Sequence, residues 1–163
     1  MTIGQSFLRE FDDEMVLTRR FLERVPTERG QWKPHTKSFP LGHLAQLVSW
    51  MPGWIAETIN TPYKDLAGGG GYSYKSTEAL LQGFDQNVAE ARQALATSPD
   101  TAWGENWQLR VGGNVVWEAP RPVVVRTHLN HLIHHRAQLG VYLRLIDVPV
   151  PSSYGPSADE RPA

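Results

Sequence analysis

Apolar side chains recur every three or four residues in four separate segments of the chain. This spacing puts them on one face of an α-helix, so it predicts four helices of about 20 residues. Cap residues and prolines mark where each helix begins and ends. The predicted helices span residues 5–24, 40–60, 76–97 and 121–146. Pro52-Gly53 is expected to kink or split the second helix.

The period of the apolar residues changes between the third and fourth predicted helices. Here apolar residues alternate with polar ones on both sides of Gly112-Gly113-Asn114. Because successive residues of a strand face opposite sides, this alternation around a turn predicts a short β-hairpin. The chain is therefore predicted to be an all-α four-helix bundle, with a small β-hairpin between helices 3 and 4.

Composition is consistent with one domain covering residues 1–163, which ends in a Pro- and Ser-rich tail over 147–163. The chain is 40% apolar and 20% charged, as is typical of soluble globular proteins. Its net charge is -1, from 16 basic and 17 acidic side chains, and no basic run stands out. We therefore expect binding neither to nucleic acid nor to a membrane. Charged residues interrupt the N-terminal segment, so no signal peptide is predicted and a cytoplasmic location is expected.

Histidines supply the candidate chemistry. Four of the six lie between Thr127 and Leu139, and the chain has no cysteine to act as a metal ligand. His131 and His135 are one helical turn apart, so both can bind one ion. His43 shares a helix face with Leu47 and Trp50, where an imidazole needs a partner and a metal would supply one. The working prediction is a three-histidine metal site between two helices.

A helical projection places further candidates near this site. His128, Gln138 and Tyr142 share a stripe with the His131/His135 pair, whereas His134 points away from it. Trp50 and Trp54 share the face of His43, so they are candidate pocket residues. His128 is interpreted either as a residue that supports the ligands or as a surface residue. Gln138 and Tyr142 are expected either to orient a substrate or to form hydrogen bonds within the bundle.

The fourth helix carries His-x-x-x-His-Arg-x-Gln-Leu, followed by Leu-Arg and by Pro-x-x-Tyr-Gly-Pro in the tail. Together with Leu41-Gly42-His43-Leu44, this pattern resembles the DinB/YfiT-like family of the DinB superfamily, over nearly the whole chain. The resemblance implies a metalloenzyme with an up-down-down-up four-helix bundle that is often a homodimer. It also implies His43, His131 and His135 as the metal ligands, because the last ligand directly precedes the arginine. The family's usual Arg-Gly-Gln is Arg136-Ala137-Gln138 here.

Three imidazoles would leave an open position on a divalent ion, as in catalytic sites. Zn²⁺ is the first expectation, and imidazole also accepts Ni²⁺, Fe²⁺, Co²⁺ and Mn²⁺. The resemblance further implies a thiol-dependent S-transferase that uses an external low-molecular-weight thiol, such as bacillithiol or mycothiol. The small-molecule substrate would be an electrophile bound among Trp50, Trp54 and Tyr142.

Two alternatives remain open at this point. One is a metal-dependent hydrolase that uses bound hydroxide, ranked lower because no general-base carboxylate is evident near the histidine pair. The other is a non-catalytic, stress-related module in which the metal only staples helices 2 and 4.

Overall fold

Four long helices form most of the computed structural model, which describes residues 1–69 and 71–161. The helices are α1 (Ile3–Glu23), α2 (Leu41–Asn60), α3 (Thr77–Thr97) and α4 (Arg121–Leu145). The strands are β1 (Tyr63–Asp65), β2 (Asn106–Val111) and β3 (Asn114–Pro120). Gly70 of the glycine-rich loop and the last two residues of the predicted tail lie outside the described residues. The prediction of a mostly helical chain with four helices is confirmed.

Local sequence explains where the helices begin. Thr2 accepts a hydrogen bond from the backbone of Gln5, whose side chain in turn accepts one from the backbone of Thr2. This capping box starts α1 two residues before the predicted position. Ser76 caps α3 with its hydroxyl oxygen, which accepts a hydrogen bond from the backbone N–H of Ala79. None of these caps requires tertiary contacts, which is why helix starts are legible in the sequence.

The α2 helix runs continuously through Pro52, so the predicted split does not occur. Proline removes one hydrogen bond, but residues on both sides of Pro52 are buried against neighbouring helices. The side-chain amide of Asn87 on α3 also donates to the carbonyl of Ser49 at 2.9 Å. Tertiary packing therefore outweighs the local cost of the proline.

Each helix packs mainly against two others. The extensive contacts join α2 to α3 and α4, and α1 to α3 and α4, whereas α1 and α2 barely touch. Ion pairs between Asp12 and Arg92 and between Arg19 and Asp85 show that α1 and α3 run in opposite directions. The predicted apolar face of α4 is fully buried in this arrangement. It consists of Val125, Leu129, Leu132, Leu139 and Leu143.

One charged cluster lies inside the bundle and joins it to the tail. Arg136 of α4 is 2% exposed and donates to the carboxylate of Glu14 on α1 at 2.6 Å. The Tyr154 hydroxyl donates to the same carboxylate at 2.6 Å. The cluster satisfies the buried guanidinium and holds the tail against α1 and α4.

The β-strands form a three-stranded sheet in the order β1-β2-β3. β2 and β3 are antiparallel around Gly112 and Gly113, whose φ angles of 57° and 80° favour glycine. β1 adds a parallel edge that the sequence analysis did not predict. The carboxylate of Asp65 accepts from the backbone of both turn glycines, which ties β1 to the turn.

Among the helices of residues 1–69 and 71–161, none combines enough length and apolar character to cross a membrane.

Candidate functional site

His131 and His135 face each other on α4. Their Nε2 atoms are 2.9 Å apart, and the ring centroids are 4.6 Å apart. Two residues one turn apart on a helix would not by themselves reach this distance, so both rotamers are turned toward a common point. This geometry brings two imidazole nitrogens to one place, as the four-residue spacing predicts.

Gln138 fixes the tautomer of His135. Its Oε1 lies 2.7 Å from Nδ1 of His135, and its Nε2 lies 3.1 Å from Nε2 of His134. Since an amide oxygen only accepts, Nδ1 of His135 carries the proton. Nε2 of His135 therefore presents its lone pair toward His131. The projection that pointed His134 away was wrong in one respect, because this side chain bends back to accept from Gln138.

The surroundings of both histidines of the pair favour the neutral form, the form that binds metals. Partial burial lowers the pKa of His131, and repulsion from a charge on His135 or His134 lowers it further. Burial likewise lowers the pKa of His135, while the hydrogen bond that its Nδ1–H donates to Gln138 opposes this shift and a charge on His134 adds to it.

His43 is the third predicted ligand, and it is held between two aromatic rings. Its ring centroid lies 4.2 Å from that of Phe39 and 3.4 Å from that of Tyr72. Its Nε2 is buried and has no hydrogen-bond partner among the described residues. Burial lowers the pKa of His43, and the charge of Lys33 lowers it further. Its surroundings thus favour the neutral imidazole and leave Nε2 without a partner among the described residues.

The described residues contain no group of three His, Asp or Glu side chains close enough to hold an ion as they stand. The structure brings His131 and His135 together, and leaves His43 stacked between Phe39 and Tyr72. Phe39 also lines a cavity with His135, so it lies next to both parts of the predicted site. The three-histidine site stays a prediction.

Two cavities flank the histidine pair. One of about 410 Å³ is lined by Phe39, His135, Gln138 and Tyr142. The other has about 300 Å³, and we call it the tryptophan cavity. Its walls include Trp54, Trp107, Trp117, Leu109, His128 and His131.

The predicted pocket residues are distributed over separate cavities. Trp54 and His128 lie in the tryptophan cavity, and Gln138 and Tyr142 lie on the other side of the pair. Trp50 lines neither cavity but stacks on Tyr72, with ring centroids 5.0 Å apart. The two cavities beside the pair, as the described residues form them, therefore hold Trp54 and Tyr142 apart, with Trp50 outside both.

His128 is a partly buried wall of the tryptophan cavity. Its Nε2 lies 3.2 Å from the Thr58 hydroxyl, which itself donates to the carbonyl of Trp54. The hydroxyl must therefore accept, and Nε2 of His128 carries the proton. Burial lowers the pKa of His128 to about 4, with smaller contributions from His131 and Lys64. Nε2 of His128 is thus hydrogen-bonded to a residue of α2, whereas the Nε2 atoms of His131 and His135 face each other.

Four aromatic residues beside the site did not figure among the candidates. Trp107 and Leu109 alternate along β2, and Trp117 of β3 pairs with Leu109, so the pattern of the hairpin could have indicated a shared wall. Phe39 precedes α2, and Tyr72 follows the glycine run. No periodic signal in either loop places these two rings against His43.

Comparison with solved structures identifies the fold. A DinB-like protein from Bacillus cereus superposes with a TM-score of 0.71 at 20% identity, over 91% of this chain and 95% of the other. The DinB-like protein YjoA from Bacillus subtilis gives 0.68 at 13% identity, over 91% and 99%. Neither protein-family models nor curated proteins give a match to this sequence. The chain thus has the DinB-like fold, as the sequence resemblance predicts.

Proposed function

We propose that His131 and His135, together with His43, bind a divalent metal ion at which an external thiol reacts with an electrophilic small molecule. The observation that carries the proposal is the Gln138-oriented lone pair of His135, 2.9 Å from Nε2 of His131. A hydrogen bond from the second ring nitrogen to an amide or carboxylate is the usual support of a metal-ligating histidine. Zn²⁺ is the first choice, and Ni²⁺, Fe²⁺, Co²⁺ and Mn²⁺ suit the same imidazoles.

The unsatisfied Nε2 of His43 supports its role as the third ligand. A buried nitrogen without a partner costs free energy, and an ion would remove that cost. Phe39 and Tyr72 would have to shift to expose it. Tyr72 follows the glycine-rich loop, where the backbone has few steric restrictions.

A divalent ion held by these imidazoles would lower the pKa of a thiol and keep it as thiolate. The chain contributes the surroundings of that reaction. Gln138 keeps Nδ1 of His135 protonated and so keeps Nε2 available. Trp54 and the hairpin tryptophans supply apolar walls beside His131, which exclude water from an electrophile. Since the chain has no cysteine, the thiol has to come from outside.

Thiol-dependent consumption of chlorodinitrobenzene would test this function. The thiolate sulfur forms a bond to the ring carbon, chloride leaves, and the thiol proton goes to solvent. We expect Zn²⁺-loaded protein to accelerate the reaction with bacillithiol or mycothiol, and His135→Ala to abolish the acceleration. The matched control His35→Ala changes an exposed histidine outside the pair and should retain most of it. Acceleration that survives both chelation and His135→Ala would refute the proposal.

Two other outcomes would favour the alternatives. Turnover of esters without thiol would favour a hydrolase. The carboxylate that such an enzyme would use as a base is Glu57, which lines a cavity with His131 but is paired with Lys64 at 2.5 Å. Chelation that lowers the melting temperature of a protein inactive in every assay would favour a metal that only staples α2 to α4.

The helix order belongs to the same proposal. α1 and α3 run in opposite directions, and the pairs Glu10–Arg126 and Glu14–Arg136 indicate that α1 and α4 run in the same direction. Contacts of Thr58 with His128 and of Trp54 with His131 indicate that α2 opposes α4. These directions support the up-down-down-up order. The homodimer implied by the resemblance stays a prediction.

A further inference from the structure

The tryptophan cavity has the size of a site for one small ring. The hairpin contributes Trp107, Leu109 and Trp117 to its walls, and α4 contributes His128 and His131. Its volume of about 300 Å³ lies at the lower end of small-molecule sites. An apolar cavity of roughly 150 Å³ is enough to hold benzene, so a substituted benzene ring would fit here.

The surface of this cavity is almost wholly apolar, although several of its walls carry polar groups. Those groups are engaged elsewhere. Nε2 of His128 is bonded to Thr58, and the Thr127 hydroxyl donates to the carbonyl of Val123 at 2.8 Å. The indole nitrogen of Trp107 is buried beneath the surface, so this ring presents carbon to the cavity. A polar group that entered the cavity would lose its hydrogen bonds to water with little in return.

The charges of the walls exclude ionic ligands. Glu57 and Lys64 are the charged residues among the described walls, and they neutralise each other through an ion pair at 2.5 Å. No wall residue among those described therefore offers a free charge to offset the desolvation of an ion. The interior of the cavity is suited to an uncharged hydrocarbon group.

Aromatic rings make up most of the walls and lie at angles to one another. The ring centroid of Trp54 is 5.8 Å from that of His128 and 6.0 Å from that of His131. The ring of Trp107 meets His128 edge-on, at 86° and with centroids 6.2 Å apart. Aromatic rings pair with one another in such edge-to-face and offset arrangements, which adds to the gain from burial alone. An aromatic ligand would extend the same set of contacts.

We propose that the tryptophan cavity binds an uncharged aromatic hydrocarbon ring, which packs against Trp54, Leu109 and Trp117. The ring belongs to the electrophile, because His131 is one of the walls and places a substituent of the ring beside the histidine pair. In this role the cavity rests on the proposed function. Binding of the ring itself requires only the walls.

Three benzenes substituted at both ends test the apolar character of the site, since one substituent has to enter the cavity in either orientation. The probes are p-xylene, hydroquinone kept under argon, and terephthalate, titrated into metal-free protein with a chelator present. We expect p-xylene to bind. Hydroquinone should bind about 5- to 100-fold more weakly, the range of one buried hydroxyl without a partner. Terephthalate should bind at least about 10-fold more weakly still, because a carboxylate would be desolvated without a counter-charge.

The same sample locates the bound ring. In ¹³C-labelled protein, isotope-filtered NOEs should join the protons of p-xylene to the methyl groups of Leu109 and to the ring of Trp117. Absence of p-xylene binding, or NOEs to other parts of the chain alone, would overturn the proposal. Hydroquinone or terephthalate that binds as tightly as p-xylene would overturn it as well.

Two substitutions to tryptophan give an independent check. Leu109→Trp puts an indole into the cavity and should abolish binding of p-xylene while the amide spectrum stays that of a folded protein. The matched control Val116→Trp puts the same side chain at an exposed position of β3 outside the walls, and it should retain binding. Binding that survives in a folded Leu109→Trp variant would contradict the assignment of the site. If that variant does not fold, the NOEs in the wild type decide the question.

The titrations distinguish this inference from the proposed function because they use metal-free protein. If the protein binds no metal but p-xylene gives the expected NOEs, the cavity stands and the metal chemistry falls. If metal binds and p-xylene does not, the inference about the cavity falls and the metal chemistry stands.

Discussion

Acidification should destabilise the fold through His128. In the folded chain this imidazole is partly buried and donates to Thr58, and burial lowers its pKa to about 4 from an ordinary 6.5. As the pH falls, the unfolded chain takes up the proton first. The stability that the neutral ring provides is therefore complete above about pH 6.5 and is lost between about pH 6.5 and about pH 4.

The size of this effect follows from the shift. A difference of one pKa unit corresponds to about 1.4 kcal/mol, so the full loss is about 3 kcal/mol. Between about pH 7.5 and about pH 4.5 the expected loss from His128 is about 2.5 kcal/mol. Burial also lowers the pKa values of His43, His131 and His135, so the wild type should lose more than this amount.

The variant His128→Gln isolates the contribution, because glutamine has an amide donor and does not titrate. Urea unfolding with a chelator present would give the free energy of unfolding at several pH values for both proteins. We expect the loss on acidification to be about 2.5 kcal/mol smaller in the variant. The control His35→Gln, at an exposed histidine, should follow the wild type. Parallel profiles for wild type and His128→Gln would refute the claim that this ring is buried in its neutral form.

Two further predictions concern packing. A Cβ at Gly4 would lie 2.3 Å from the carbonyl oxygen of Leu95, so Gly4→Ala should cost about 1–3 kcal/mol in urea unfolding. Gly83→Ala is the control, since an added Cβ there meets nothing within 4 Å, and the free energy of unfolding should rise by about 0.5–1 kcal/mol. Equal effects of the two substitutions would contradict the close approach of α1 and α3. Glu14→Ala would leave the buried Arg136 without its carboxylate and should cost about 3–5 kcal/mol, so a loss under about 1 kcal/mol would contradict that account.

The helices were predictable because their signals are local. Ser76 and the prolines before α2 and α4 mark the helix starts, and the apolar period of α4 identifies a face that is fully buried. α1 begins two residues before the predicted position because its capping box, formed by Thr2 and Gln5, lies before Phe7, the first large apolar side chain that the helix buries. β1 was missed for a different reason: its three residues pair with β2 across more than 40 positions of sequence, which no local pattern encodes.

In the candidate site, too, the local feature was predictable and the contacts between distant segments were not. The meeting of His131 with His135 follows from helical spacing, and it is found. The stacking of His43 between Phe39 and Tyr72 depends on two loops whose conformations have no periodic signal. The helical projection also did not predict that Trp50 and Trp54 have different surroundings. A projection assigns residues to a face of the helix, but it does not say which neighbouring element covers each turn.

Metal content tests the central claim most directly. Purified protein would be dialysed against limiting Zn²⁺ and measured by elemental analysis, alongside His43→Ala, His131→Ala and the control His35→Ala. The account predicts about one equivalent per chain in the wild type and in the control, and a loss in the other two variants. A wild type that holds no metal, or a His131→Ala variant that holds as much as the wild type, would contradict it.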